Sequence, residues 1–185
     1  MLLTLLLVSF IASAALGGVY SLTKDPIAAA KAAKKNMAIK RVTPDFNNQP
    51  GGEIISVEAD GDSVYFYIAR MDSAVVGYAA ETFSNIAFGG SIKLMVGFEA
   101  DGTIKDIAVL EHKETPGLGD KMAKAKSNWS YQFNGKHPES FTLAVKKDGG
   151  DVDAITASTI SSRAYCDAVQ TAYDALMDVK KKGGK

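Results

Sequence analysis

The sequence predicts an α+β protein: a single N-terminal transmembrane helix, followed by an antiparallel sheet with flanking helices. Three observations predict it: an uncharged apolar run over residues 2–22, β-rich segments over 63–110, and an amphipathic pattern over 159–182. Strands grouped in sequence with helices at either end are typical of α+β domains, not of repeating βαβ units. A length of 185 residues, 46% of them hydrophobic, suits one compact domain plus the N-terminal segment.

The N-terminal run is long enough to cross a membrane. As a helix, residues 2–22 would extend ~32 Å, which matches the roughly 30 Å hydrocarbon core of a bilayer. The alternative is a cleaved signal peptide, because the Ala-Ser-Ala triplet at 12–14 has the small-x-small form that signal peptidase accepts. The apolar stretch continues past this triplet, so we expect an uncleaved anchor over residues 1–23.

Residues 24–52 are expected to form a juxtamembrane helix and a loop. The segment 26–37 begins with a proline, which suits a helix start, and is rich in the helix formers Ala and Lys. This helix should end well before Pro44. The next segment, 43–52, is dense in turn formers and should separate the helix from the domain over 53–185.

Four segments have the β-branched and aromatic composition of strands. They form two pairs, each joined by a short polar turn: 63–69 with 75–83, and 91–98 with 103–110. The second pair is the clearest hairpin in the chain, because Gly102 can supply the positive φ of a tight turn.

Three further segments have recognisable patterns. Residues 121–128 are expected to be helical, and residues 141–147 are expected to form one more strand before an Asp-Gly-Gly turn. From Thr159 to Lys182 apolar residues recur in steps of four, which predicts an amphipathic helix. Its last turn carries three lysines, where cations complement the helix dipole.

Composition excludes several classes of function. Lys plus Arg and Asp plus Glu both total 21, so we expect no basic face for nucleic-acid phosphates and no nucleic-acid partner. The single cysteine, Cys166, is expected to be a core residue, and with only His112 and His137 the chain lacks the ligand clusters of metal sites. We expect no metal site and no acid–base catalyst, so any electron transfer requires an organic cofactor.

The first segment that carries chemistry is a loop directly after the second hairpin. It comprises Glu114, Thr115, Pro116, Gly117, Leu118 and Gly119. Its proline and two glycines leave the backbone free to approach a flat ligand, and its first two residues add polar groups. On composition alone, an ordinary Pro-Gly turn between a strand and a helix remains the stronger interpretation.

The second such segment is the start of the C-terminal helix. Five hydroxyl residues crowd it: Thr156, Ser158, Thr159, Ser161 and Ser162. Hydroxyls at this place cap the unpaired N–H groups of a first helical turn. One or two caps suffice, however, and the same N–H groups make a natural anion site, which Arg163 could assist. The residues alone leave both open, helix capping and a phosphate-bearing ligand.

Together, the two segments resemble the flavin-binding domain of the G subunit of the Rnf electron-transport complex. The same domain occurs in a relative, the C subunit of the sodium-pumping NADH:quinone reductase. In this family an ETPGLG loop precedes an Asp-x-x-Ser/Thr-Gly-Ala-Thr motif. Residues 114–119 match the loop without change, and Asp153, Thr156 and Thr159 match three positions of the motif. The resemblance covers nearly the whole chain, and the short length favours the Rnf member.

The resemblance implies covalently bound flavin mononucleotide (FMN). In the family a dedicated flavin transferase joins FMN through a phosphoester to the terminal Thr of the motif, which is Thr159 here. The loop 114–119 would contact the flavin ring or its ribityl chain. The residues implied around the phosphate are Thr156, Ser158, Ser161 and Arg163.

The resemblance also implies a function. The chain would relay electrons, without acid–base catalysis, within a membrane complex that couples ferredoxin:NAD oxidoreduction to ion translocation. Its partners would be the other membrane subunits, the flavin transferase and membrane lipid. Two other functions are weighed: a membrane-tethered module that binds a phosphate-bearing ligand reversibly, and a hydrolase with Thr159 as nucleophile, which would need a positioned base.

The charge distribution and the resemblance predict opposite membrane topologies. Six Lys and Arg residues follow the apolar run between positions 24 and 41, so the positive-inside rule alone places the domain in the cytoplasm. The resemblance implies a single-pass protein of the cytoplasmic membrane with its FMN domain on the extracytoplasmic side. We follow the resemblance.

The motif before Thr159 departs from the family pattern. Where the family has Gly then Ala, this chain has Ala157 then Ser158. If the backbone there has a positive φ, the methyl group of Ala157 makes that conformation costly. Ser158 also offers a competing hydroxyl for attachment.

Overall fold

A computed structural model describes residues 1–59 and 61–183 of the chain. These residues contain two long helices and a five-stranded sheet. The chain divides into two units, residues 1–36 and 37–185. The first unit is helical throughout after Met1, and the sheet lies in the second.

The first helix, α1, runs over Leu2–Val42. Among the residues described, it is the one helix long and apolar enough to cross a membrane, with mean hydropathy of 2.3 over 18 residues. Its length corrects two expectations, because Pro26 lies inside the helix and the helix continues almost to Pro44. A proline removes one backbone hydrogen bond, but the Ala- and Lys-rich sequence that follows favours helix strongly enough to continue it.

Five antiparallel strands form a meander in chain order. They are β1 (Ile54–Ala59), β2 (Asp62–Met71), β3 (Ala74–Ala87), β4 (Gly90–Glu99) and β5 (Ile104–Glu111). The two predicted hairpins are confirmed as β2 with β3 and β4 with β5, and Gly102 has a φ of 111°. The sequence pattern did not reveal β1, because its first three residues are all exposed and lack the alternation that marks a half-buried strand.

The helix expected over 121–128 is wrong. The segment begins inside a 3₁₀ turn, Gly119–Met122, and continues as irregular turns. Ser127 Oγ donates a hydrogen bond to the Lys121 carbonyl at 2.6 Å, which gives the backbone an alternative to helical bonding. A segment this short has too little propensity to overcome the cost of helix nucleation.

The strand expected over 141–147 is also wrong. An isolated bridge joins Val145 to Val152, and a 3₁₀ turn, Lys146–Asp148, follows directly. Leu143 and Val145 are nevertheless buried in the core. Their apolar character therefore reflects burial of an irregular segment, which a short apolar run does not distinguish from a strand.

The second helix, α2 (Thr159–Gly183), confirms the amphipathic prediction and covers one face of the sheet. Its fully buried residues include the small Ala164, Ala168 and Ala172, which let the helix approach large side chains of the sheet such as Phe66. Thr82 Oγ1 of β3 donates to the Ala168 carbonyl at 2.9 Å, a buried hydrogen bond that joins the two elements. These contacts fix α2 against the sheet.

The other face of the sheet packs against the last turns of α1. Ala38, Ile39 and Val42 form a buried cluster with Tyr67 and Met95. Successive strand residues point to opposite faces, so this cluster is separate from the core under α2. In β4, a Cβ atom on Gly97 would overlap the backbone of Val42, so only glycine permits this approach.

We expect Gly97→Ala to lower the free energy of unfolding by about 1–3 kcal/mol, because overpacking must move the helix end off the sheet. The measurement is urea unfolding of the full chain in detergent, followed by the fluorescence of Trp129. Gly51→Ala is the matched control, since its Cβ would meet open space. Equal stability of the two variants would contradict the packing described for Val42.

Candidate functional site

A cavity of about 370 Å³ lies where three segments of the second unit meet. The segments are the turn between β3 and β4, the loop after β5, and the first turn of α2. The lining residues are Phe88, Glu114, Thr115, Leu118, Gly119, Ala157, Ser158, Thr159, Ile160 and Ser161. The fold therefore brings together the two segments that stand out in the sequence, and the volume lies within the range of small-molecule sites.

The loop after β5 divides into residues that face the cavity and residues that shape the turn. Glu114, Thr115, Leu118 and Gly119 line the cavity, whereas Pro116 and Gly117 do not. The Gly117 N–H donates to Asp120 Oδ1 at 2.7 Å, and the Leu118 N–H donates to the Thr115 carbonyl at 3.1 Å. Pro116 and Gly117 thus contribute through the shape of the loop.

The hydroxyl residues at the start of α2 also divide by role. Ser158, Thr159 and Ser161 line the cavity, and Thr156 is exposed outside it. Ser162 is fully buried, where its Oγ accepts the Ile155 N–H at 2.9 Å and donates to the Ser158 carbonyl at 3.0 Å. Ser162 therefore ties the segment before α2 to its first turn and caps none of the N–H groups of that turn, whereas Ser158, Thr159 and Ser161 border the cavity.

Arg163 does not face the cavity. Its guanidinium donates two hydrogen bonds to the Asp148 carboxylate, at 2.6 and 2.8 Å. These bonds hold the pKa of the exposed Asp148 below its usual value. The geometry corrects the expectation that Arg163 helps to hold an anion, because its charge is engaged outside the lining.

The first turn of α2 presents open hydrogen-bond donors. The first helical bond runs from the Ser162 N–H to the Ser158 carbonyl at 3.0 Å. Within residues 1–59 and 61–183, no acceptor bonds the N–H groups of residues 159–161 or the hydroxyl of Thr159. Thr159 is half-buried and none of the lining residues is basic. Free N–H groups at the positive end of a helix dipole suit a phosphate group.

Comparison with known proteins gives the family of the chain. The family model of the FMN-binding domain matches residues 88–174, a range that includes every residue lining the cavity. A protein of Erwinia tasmaniensis, named as the G subunit of the ion-translocating oxidoreductase complex, is 37% identical over 159 residues, which cover 81% of this chain and 76% of that protein. The chain belongs to this G-subunit family.

Two further relatives carry the same name. The protein of Haemophilus influenzae strain PittEE is 37% identical over 167 residues, which cover 86% of this chain and 80% of the relative. The protein of Shewanella amazonensis is 37% identical over 171 residues, which cover 87% of this chain and 80% of the relative. The resemblance to the G subunit of the Rnf complex is therefore confirmed, and the chain carries an FMN-binding domain.

The cavity of this family member fits FMN at both ends of the cofactor. The open N–H groups of the first turn of α2 suit the phosphate. Around them lie three apolar side chains that are well exposed: Phe88 at 71%, Ile160 at 47% and Leu118 at 40%. Such surface suits the planar isoalloxazine ring, because burying it removes apolar area from water.

Sequence reasoning missed Phe88 and Ile160. An aromatic residue at the end of a strand and an isoleucine in an amphipathic helix are both expected to be core residues. Phe88 instead stands in a turn, directly before Gly89 and Gly90, and this Gly-Gly pair is the signal that could have placed it outside the sheet. Ile160 offers no comparable signal in the sequence.

Glu114 forms a buried connection between the three segments of the cavity. The residue is 6% exposed. Its Oε1 accepts the Gly89 N–H at 2.7 Å, and its Oε2 accepts a short hydrogen bond from the Ser161 hydroxyl. A Cβ atom on Gly119 would overlap both the Glu114 carboxylate and the Ser161 hydroxyl, so glycine leaves room for this contact and a larger residue would displace it.

The backbone before Thr159 is strained. Ala157 has a φ of 61°, in the left-handed region, where the family motif has glycine. The left-handed conformation costs a residue with a Cβ roughly 1–2 kcal/mol. The positive φ that would make Ala157 costly is therefore present, and the strain lies in the lining of the cavity itself.

We expect Ala157→Gly to raise the free energy of unfolding by about 0.5–1 kcal/mol, because relief of the left-handed strain exceeds the added entropy of the unfolded chain. Ala154→Gly is the matched control at an exposed position without positive φ, and it should lower stability by about 0.4–1 kcal/mol. Urea unfolding of both variants measures the difference. A loss of stability in Ala157→Gly would refute the strain.

Proposed function

We propose that the chain is a flavin electron-transfer subunit of a membrane-bound, ion-translocating oxidoreductase complex, with FMN bound covalently to Thr159. Curated relatives at 37% identity are named as the G subunit of such a complex, and the FMN-binding domain spans the cavity. The observation that carries the proposal is the cavity, where the Thr159 hydroxyl and the open N–H groups of α2 meet an apolar surface. FMN supplies reversible reduction there, and the chain supplies its position and surroundings.

Accessibility favours Thr159 over its neighbour as the attachment point. Thr159 is half-buried with an unbonded hydroxyl, whereas Ser158 is only 7% exposed. The Ser158 carbonyl also accepts two hydrogen bonds from Ser162 that begin the helix. A transferase that reached the Ser158 hydroxyl would have to open the turn that these bonds close, whereas Thr159 can be reached as it stands.

The local chemistry supports a phosphoester. The Thr159 oxygen would attack the FMN phosphorus of a flavin nucleotide held by the transferase as an anhydride; the new O–P bond would form as the anhydride P–O bond breaks, the second phosphate would leave with its nucleoside, and a base of the transferase would take the hydroxyl proton. The phosphate that remains carries negative charge beside the N–H groups of Ile160 and Ser161, which can donate to it without any basic side chain. Phe88, Ile160 and Leu118 then offer apolar contacts to the ring.

The proposed membrane location rests on the apolar helix α1 and on the membership of the chain in the G-subunit family. We propose an anchor over 1–23, a juxtamembrane segment over 24–52 and the FMN-binding domain over 53–185. Residues 37–42 of the middle segment belong to the second unit, and three of them pack on the sheet, so this segment contributes to the core of that unit. The proposed partners are the other membrane subunits of the complex, the flavin transferase and membrane lipid.

Thr159→Val should abolish covalent flavin, because valine has no hydroxyl for the ester. The full chain is co-expressed with a flavin transferase and separated by denaturing electrophoresis under ultraviolet light. We expect a fluorescent band for the wild type and for Ser158→Ala, and none for Thr159→Val. Flavin that co-purifies but is lost on denaturation would favour the reversible phosphate-binding module instead.

A hydrolase is poorly supported by the same site. None of the lining residues is a histidine, and His112 Nδ1 accepts the backbone N–H of Glu114 at 3.2 Å. A threonine nucleophile needs a base within hydrogen-bond reach. The carboxylate in the lining, that of Glu114, already accepts hydrogen bonds at both oxygens.

We further propose that the domain lies on the extracytoplasmic side of the cytoplasmic membrane, although the lysines after the anchor favour the opposite side. Lys147 is exposed, so Lys147→Cys should react with a membrane-impermeant maleimide in intact spheroplasts. Cys166 gives little background, because burial raises its pKa to about 12. Labelling only after lysis would place the domain in the cytoplasm.

A further inference from the structure

The carboxylate of Glu114 connects the three segments that line the cavity. The residue itself belongs to the loop after β5, its Oε1 is bonded to Gly89 in the β3–β4 turn, and its Oε2 is bonded to Ser161 in the first turn of α2. Gly89 directly follows Phe88, and Ser161 directly follows Ile160. The two apolar side chains that would face the flavin ring are therefore each one residue from a group held by this carboxylate.

The surroundings of Glu114 are shaped for this contact. A Cβ on Gly119 would overlap the carboxylate, and a Cβ on Gly89 would overlap the Lys113 carbonyl. Two glycines on different segments thus leave the space that the carboxylate and its loop occupy. A buried carboxylate is stable only when its oxygens are hydrogen-bonded, and both oxygens of Glu114 are.

We propose that Glu114 is the positioning residue of the FMN site: it sets the Phe88 turn and the first turn of α2 at a fixed separation, and does not itself hydrogen-bond FMN. This inference rests on the proposed function, since it concerns how the same cavity holds the flavin. Each carboxylate oxygen is engaged by the protein, so the residue acts through Gly89 and Ser161. Its negative charge also complements the positive end of the α2 dipole.

The alternative is that the negative charge of the Glu114 carboxylate acts on the flavin ring directly. The two roles differ in what glutamine can replace. A glutamine at this position keeps an oxygen to accept the Gly89 N–H and gains an amide donor toward the Ser161 oxygen. Positioning therefore survives Glu114→Gln, whereas a role that depends on the charge does not.

The test compares Glu114→Ala, Glu114→Gln and Asp167→Ala in the full, flavinylated chain in detergent. Asp167 is the matched control, because its carboxylate also accepts a serine hydroxyl, that of Ser84 at 2.6 Å, and joins α2 to β3 outside the cavity lining. We expect Glu114→Ala to raise the iodide quenching constant of the flavin several-fold and to weaken its visible circular dichroism. Glu114→Gln and Asp167→Ala should stay within about twofold of the wild type.

A second readout needs no flavin. In the chain expressed without transferase, hydrogen–deuterium exchange of residues 86–90 and 157–162 should rise several-fold in Glu114→Ala and remain unchanged in Asp167→Ala. If Glu114→Ala does not fold, Ser161→Ala removes one of the two bonds and should raise exchange at 157–162.

Wild-type exchange in both Glu114→Ala and Ser161→Ala would overturn the positioning role, as would a Glu114→Gln variant as disordered as Glu114→Ala. If the wild-type chain takes up no flavin, the proposed function is contradicted, but the exchange test of Glu114 still applies. The two failures are therefore distinguishable.

Discussion

The packing of α2 against the sheet determines where its first turn lies, and the site depends on that position. Buried alanines along the helix and the bond from Thr82 to the Ala168 carbonyl hold α2 close to β3. The first turn, whose N–H groups face no acceptor among the described residues, then lies beside the β3–β4 turn and the loop after β5. A core interaction outside the cavity thereby positions the end of the cavity with open N–H groups.

The lining of the cavity combines one strained residue with two kinds of open surface. Ala157 has a left-handed backbone, three N–H groups lack acceptors among the described residues, and Phe88 is largely exposed. The left-handed backbone costs stability, and such strain persists where the surrounding structure imposes it. A phosphate on the N–H groups and a flat ring on the aromatic surface would use the two open surfaces, and covalent attachment would make both contacts permanent.

The sequence predicted the parts of the fold that have a regular period. The hairpins around Ser73 and Gly102 and the amphipathic helix from Thr159 follow from alternation, turn chemistry and steps of four. It failed for residues 121–128 and 141–147, where apolar side chains enter the core from irregular backbone. It named both segments of the cavity through their composition and family motif. It could not divide them by role, because only the folded chain shows Ser162 bonded to Ile155 and to the Ser158 carbonyl, and Arg163 bonded to Asp148.

Tandem mass spectrometry of the tryptic peptide over residues 148–163 tests most directly whether FMN is esterified to Thr159. That peptide contains all five hydroxyl residues at the start of α2. We expect a peptide heavier by one FMN less water, with fragment ions that place the added mass on Thr159. An unmodified peptide after co-expression with the transferase, or fragments that place the mass on Ser158, would contradict esterification at Thr159.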